Sequence, residues 1–181
     1  MRTILRLAIV LLSTGALAGT AAEEATAPTG WSVAGSHPAD YEMGLDRVTR
    51  RSGKSSAVLR ARTPTAAGFG TLMQQIDAAD YRGRRVRLSG FSKAAAVAGW
   101  AGLWMRVDGP RGVLAFDNMQ SRPIKGTADW QRCEVVLDVP SAASAIWFGL
   151  LLTGPGQVWF DDLQVEGVDG TVPVTAATSL Q

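Results

Sequence analysis

The chain is poor in the residues that carry most enzyme chemistry: 181 residues contain one cysteine and one histidine. A lone Cys133 excludes an intramolecular disulfide. The single His37 lies in the polar segment Gly35-Ser36-His37-Pro38, and no Gly-x-Ser-x-Gly elbow exists anywhere in the chain. That removes a Ser-His-Asp triad, and one His with one Cys is too few for a transition-metal site. Glycine loops of phosphate-binding spacing are also missing. Beyond the N-terminus no apolar run reaches membrane-spanning length.

Net charge is lacking as well, once the N-terminus is set aside. Arg2 and Arg6, the apolar run Leu7 to Leu12 and the triplet Ala16-Leu17-Ala18 have the layout of a secretory signal peptide. Cleavage is expected after Ala18, with Ala22 as the alternative, which places the mature protein in the periplasm or outside the cell. The full chain carries 18 Lys+Arg against 16 Asp+Glu, and removing Arg2 and Arg6 leaves 16 of each. A neutral chain leaves nucleic acid unsupported as a partner. The cluster Arg82, Arg84, Arg85 and Arg87 reads as a solvated strand face.

What the sequence does contain is short apolar segments separated by turn residues. Residues 19–29 read as a flexible lead-in, 30–167 as one domain, and 168–181 as a disordered tail. Strands are expected at 56–62, 70–76, 84–93, 100–108, 130–139, 145–153 and 157–166, with weaker ones near 31–34, 40–47 and 112–117. This spacing implies an all-β sandwich. The alanine-rich stretch from Lys93 to Val97 is expected to be a loop, and Thr153-Gly154-Pro155-Gly156 a hairpin turn.

Alternation within the strands assigns faces. Cys133, Val135, Leu137 and Val139 share one side, so Cys133 is expected in the core. In 100–108, Ala101, Leu103, Met105 and Val107 form one face, and Trp100, Trp104, Arg106 and Asp108 the other. In 145–153, Ile146, Phe148, Leu150 and Leu152 oppose Trp147. Two sheets packed core to core leave these tryptophans on an outer, concave surface. The segment Leu114 to Pro123 mixes Phe116, Asp117, Asn118, Gln120 and Arg122, a composition suited to a loop over a binding surface. Trp104, Arg106, Asp117, Asn118 and either Gln74 or Gln75 therefore form the candidate ligand set: an aromatic platform with planar polar groups, as sugars require.

The strand Val158-Trp159-Phe160-Asp161-Asp162-Leu163 resembles the last strand of jelly-roll carbohydrate-binding modules of the galactose-binding-like type. That resemblance implies a jelly-roll sandwich and a structural calcium held by Asp161 or Asp162 with Glu42, Asp40 or Asp46. The chain lacks the early Gly-x-Glu motif of such modules, and a hydrogen-bonded Asp pair tying down the N-terminal segment is the alternative. The segments Tyr81 to Gly90, Gly102 to Gly109, Phe116 to Met119 and Gly126 to Trp130 resemble an accessory β-domain of bacterial S41-type peptidases, erythromycin-esterase-like proteins and some transcriptional regulators. The resemblance covers residues 30–166 and implies no catalytic part. The expected function is non-catalytic binding of a carbohydrate or other small polar ligand at the cell envelope. The alternative is a protein-interaction or structural envelope module, and the weaker alternative a hydrolase with an unrecognised carboxylate site.

Overall fold

The computed structural model describes residues 26–175. The expected signal peptide and most of the lead-in lie outside the described residues. Among these residues nine strands run in the order β1 (Ser32–Gly35), β2 (Tyr41–Asp46), β3 (Ser56–Ala61), β4 (Phe69–Asp77), β5 (Arg84–Gly109), β6 (Gly112–Asp117), β7 (Ile124–Val139), β8 (Ala145–Thr153) and β9 (Gln157–Val168). They form the expected jelly-roll sandwich.

One strand organises the fold. β5 is 26 residues long and belongs to both layers. Its first half, Arg84 to Ala95, lies between β7 and β9, and β9 continues the layer through β3 to β2. Its second half, Trp100 to Gly109, lies between β8 and β6, and β8 continues through β4 to β1. The expected loop at 93–97 is therefore strand, bent by shifts of register at Ala94, Val97 and Ala101. Such bulges let one strand turn the corner between two sheets. Glycine is required where the corner meets the 153–156 turn: a Cβ on Gly156 would lie 2.6 Å from the Val97 Cα.

The hairpin expected at 153–156 is a second correction. β8 and β9 do not pair with each other; each pairs with a different half of β5. The turn is instead a corner between layers. Tyr41 pins it: its hydroxyl accepts from the Gly154 N–H at 2.8 Å and donates to the Gly68 carbonyl at 2.9 Å.

The core lies between the layers and follows strict alternation. Leu72, Leu103, Met105, Ile146, Leu150 and Leu152 face Leu59, Val86, Leu88, Leu137, Val158 and Phe160, all essentially inaccessible to water. Cys133 is buried among them, as expected. Residues 169–175, part of the stretch expected to be a disordered tail, are tied down as far as Thr175. The Arg85 guanidinium donates to the carbonyls of Gly170 and Val172, and Thr175 N–H donates to the Val136 carbonyl.

Candidate functional site

The outer face of the β1-β4-β8-β5-β6 layer carries a groove of about 410 Å³. Strand parity puts it there. With Leu72, Leu103, Leu150 and Leu152 facing the core, their neighbours Thr71, Trp104, Leu151 and Thr153 must face outward. The floor is Thr71, Leu151 and Trp104. One wall is Phe69 and Met73 with Ala34; the other is Trp100, Arg106, Phe116 and Asn118. Its volume falls within the range of small-molecule sites, roughly 300–1,000 Å³.

Trp104 is only 8% exposed, so it is a floor and not a free-standing platform. Its indole N–H donates to the Thr71 hydroxyl at 2.8 Å, which in turn donates to the Leu150 carbonyl at 2.7 Å. Gly149 makes the space: a Cβ there would stand 2.8 Å from the Trp104 Nε1. The accessible aromatic surface comes from Phe69 and Phe116, 38% and 40% exposed, and from half-buried Trp100. Sequence reasoning passed over Phe69 as a ligand contact. Its place at the first position of β4, on the parity of Thr71, was the available signal.

Polar groups converge from the second wall. Arg106 is held by an ion pair with Asp108 at 2.9 Å and leans over the Trp147 ring at 5.8 Å. Its Nε is buried and has no hydrogen-bond partner among the described residues, so only its terminal nitrogens can reach a ligand. Asn118 Oδ1 accepts from the Gln120 N–H at 3.1 Å, which fixes the side chain and turns its amide nitrogen to other use. The lining contains neither a carboxylate nor a histidine. It therefore offers donors and aromatic faces but no pair of carboxylates for glycoside hydrolysis.

Three of the five candidate ligand residues, Trp104, Arg106 and Asn118, thus meet in one groove. Asp117 does not join them. It is buried at the end of β6, where both its oxygens pair with the Arg122 guanidinium, at 3.1 and 2.6 Å. Gln74 shares the inward parity of Leu72 and lies beneath the N-terminal segment, beside Gly30. Gln75 has the outward parity, opposite Trp147, but does not line the groove.

The acidic residues considered for calcium are engaged by the protein's own donors. Asp161 accepts the backbone N–H groups of Arg51 and Ser52, at 2.7 and 3.0 Å, and that of Asp162 at 2.8 Å. Asp162 pairs with the Arg51 guanidinium at 2.5 Å and with the Ser52 hydroxyl. Asp46 accepts from the Trp159 indole at 2.8 Å and from the Val48 and Thr49 amides. Asp40 accepts from the Ala67 amide at 2.9 Å, and Glu42 faces Arg60 at 3.8 Å. Among the described residues no three ligand-type side chains gather. This arrangement does not fit calcium. Two consecutive aspartates instead clamp the loop between β2 and β3, which Asp162 allows by adopting a φ of 54°.

Two other depressions are larger, about 650 Å³ around Gly83 to Arg85 and about 550 Å³ beside Arg51, Arg87 and Arg132. Both are lined by matched ion pairs, Arg85–Asp138 in one and Arg87–Glu166 in the other. The first has no aromatic lining, and in the second the single ring, Phe91, is covered by the Arg51 guanidinium at 3.6 Å.

No protein-family model matches the chain. It is 49% identical over 148 residues to a Bacillus subtilis (strain 168) protein named as the uncharacterized HTH-type transcriptional regulator YbfP. That match covers 81% of this chain and 50% of the relative, so the chain spans half the length of the protein it resembles. Among solved structures, the CBM22-1 xylan-binding domain of Paenibacillus barcinonensis Xyn10C is similar at a TM-score of 0.56 and 15% identity, covering 81% of this chain and 91% of that one. A Stig cyclase, Fisc, from Fischerella sp. TAU is similar at 0.59 and 14% identity, covering 80% and 87%. The enzymatically active domain of bacteriophage CBA120 tailspike protein 4 is similar at 0.60 and 15%, covering 77% and 20%. At these identities the likenesses establish one fold: the jelly roll of carbohydrate-binding modules.

Proposed function

We propose that this chain is a non-catalytic binding module whose groove takes a carbohydrate, or another small polar ligand with an apolar face. The observation that carries the reading is the pairing of accessible rings at Phe69, Trp100 and Phe116 with fixed donors at Arg106 and Asn118. Rings cover the C–H face of a pyranose, and planar donors orient its hydroxyl or acyl oxygens. The carbohydrate-binding modules among the structural neighbours support this choice. The leader is read as an export signal, and N-terminal sequencing of protein recovered outside the cytoplasm tests that part.

The test of the ligand reading is a glycan-array screen of residues 19–181, repeated with Trp100→Ala and Phe116→Ala. Saturable binding lost in both variants, with unfolding midpoints retained, supports the proposal. Binding that survives both substitutions refutes the groove.

A second reading, a protein-interaction module, has one observation behind it. The edge strand β6 exposes Val113, Leu114 and Phe116, each between 36% and 44% accessible. An unpaired apolar edge is a template for another chain. A Val113→Lys variant that loses an envelope partner in pull-down, while keeping sugar binding, separates this reading from the first.

A further inference from the structure

The Asp117 carboxylate, which the groove does not use, is shared between two parts of the chain far apart in sequence. On one side it builds the turn that carries Asn118. Asp117 Oδ1 accepts the Met119 N–H at 2.9 Å, and Arg122, whose own N–H returns to the Met119 carbonyl, forks onto both oxygens. Met119 sits at a φ of 63°, a conformation that non-glycine residues hold only when their surroundings enforce it. Its Sδ lies 3.3 Å from the backbone N–H of Leu103, under the groove wall.

On the other side the same carboxylate receives the C-terminal strap. The Thr175 hydroxyl donates to Asp117 Oδ2 at 2.6 Å and accepts the Val136 N–H at 2.7 Å. Arg122 donates to the Glu134 carbonyl at 2.9 Å. Glu134 and Val136 present these groups on the edge of β7 that no other strand pairs among the described residues. Arg122 and Thr175 therefore cap neighbouring positions of one strand edge while both hold one buried carboxylate.

We infer that the strap and the groove wall are a single coupled unit, with Thr175 a positioning residue for Asn118. The inference rests on the reading of the groove as a ligand site. Docking of residues 169–175 completes the donor set on Asp117, which orders the turn that presents Asn118. Coupling of this kind is reciprocal: a ligand that orders Asn118 tightens the strap by the same factor.

Hydrogen exchange by NMR on the labelled protein tests it without any ligand. Thr175→Val keeps the volume and deletes the hydroxyl's bonds to Asp117 and to the Val136 backbone. It should speed exchange at the Met119 and Arg122 amides by about tenfold, leaving Leu59 and Val158 unchanged, as expected for a local opening. Thr175→Ser, which keeps the hydroxyl, should restore the slow rates. Unchanged Met119 and Arg122 exchange in Thr175→Val overturns the inference. In a second arm, β-1,4-galactotriose and xylohexaose are titrated in turn. A sugar that shifts the Asn118 side-chain resonance should slow exchange at Val136 and Thr175, and one that shifts it without that effect also overturns the coupling. If neither sugar shifts Asn118, the sugar reading of the groove fails, and the Thr175 variants alone decide the inference.

Discussion

Trp104 stands between core and surface, and its two edges do different work. Its N–H ends a relay through Thr71 to Leu150, while part of the ring forms the groove floor. Trp104→Ala should therefore cost about 3–5 kcal/mol in urea unfolding, the range for truncating a buried Trp. Trp104→Phe keeps most of the packing and should cost about 1 kcal/mol, the net value of one hydrogen bond. Equal losses in the two variants would mean that the ring itself contributes little. Cys133 illustrates the opposite case of a reactive group put out of use. Burial pushes its thiol up to about 11. At pH 8 the native protein should be inert to a thiol-specific disulfide reagent and react fully once unfolded; rapid native labelling would contradict the burial. Both roles were legible in part. Alternation placed Cys133 inward and Trp104 outward, but it could not show how deep Trp104 sinks, because that depth depends on Gly149 in a neighbouring strand.

At the scale of elements, the sheet corner and the aspartate clamp set the shape. Within β5, a Cβ at Gly99 would press on the backbone carbonyl of Thr153, whereas one at Gly167 in β9 would meet nothing within 4 Å. Gly99→Ala should destabilise by about 1–3 kcal/mol, the range for overpacking. Gly167→Ala should stay within about 0.5 kcal/mol, as surface changes do. The clamp adds a pH dependence. The Ser52 hydroxyl, then the Arg51 guanidinium, hold the Asp162 carboxyl below the ordinary 3.8. A depressed folded pKa stabilises above the unfolded value and is lost as pH falls through the folded one. Wild type should therefore lose more stability than Asp162→Asn in denaturant midpoints as the pH is lowered from about 5 into the acid range; parallel losses would remove the clamp from the account. The strands themselves were readable from period-two alternation. The corner at 94–99 was not, since its small residues carry no alternation and read as a loop until their partners in β7 and β9 are seen.

For the whole molecule, the layers close around one core and the groove lies on the outer face of one of them. A ligand that binds only the folded chain raises its melting temperature by mass action, about 2.7 kcal/mol of added stability at a hundred times Kd. A groove ligand should produce that shift in wild type and not in Phe116→Ala. A calcium chelator should leave the melting temperature unchanged, because the Asp161 and Asp162 oxygens already receive N–H groups, a hydroxyl and a guanidinium. A drop on chelation would restore calcium to the fold. The β class, the inward and outward faces, and the candidates Trp104, Arg106 and Asn118 were legible in the chain alone, because they follow from a period of two and from side-chain chemistry. That Asp117 turns inward to Arg122, that Gln74 leaves the site, that Phe69 enters it, and that residues 169–175 dock became visible only in the folded chain. Each of those depends on a partner distant in the chain, and the pairing of distant strands is set by how the two layers bury their common core.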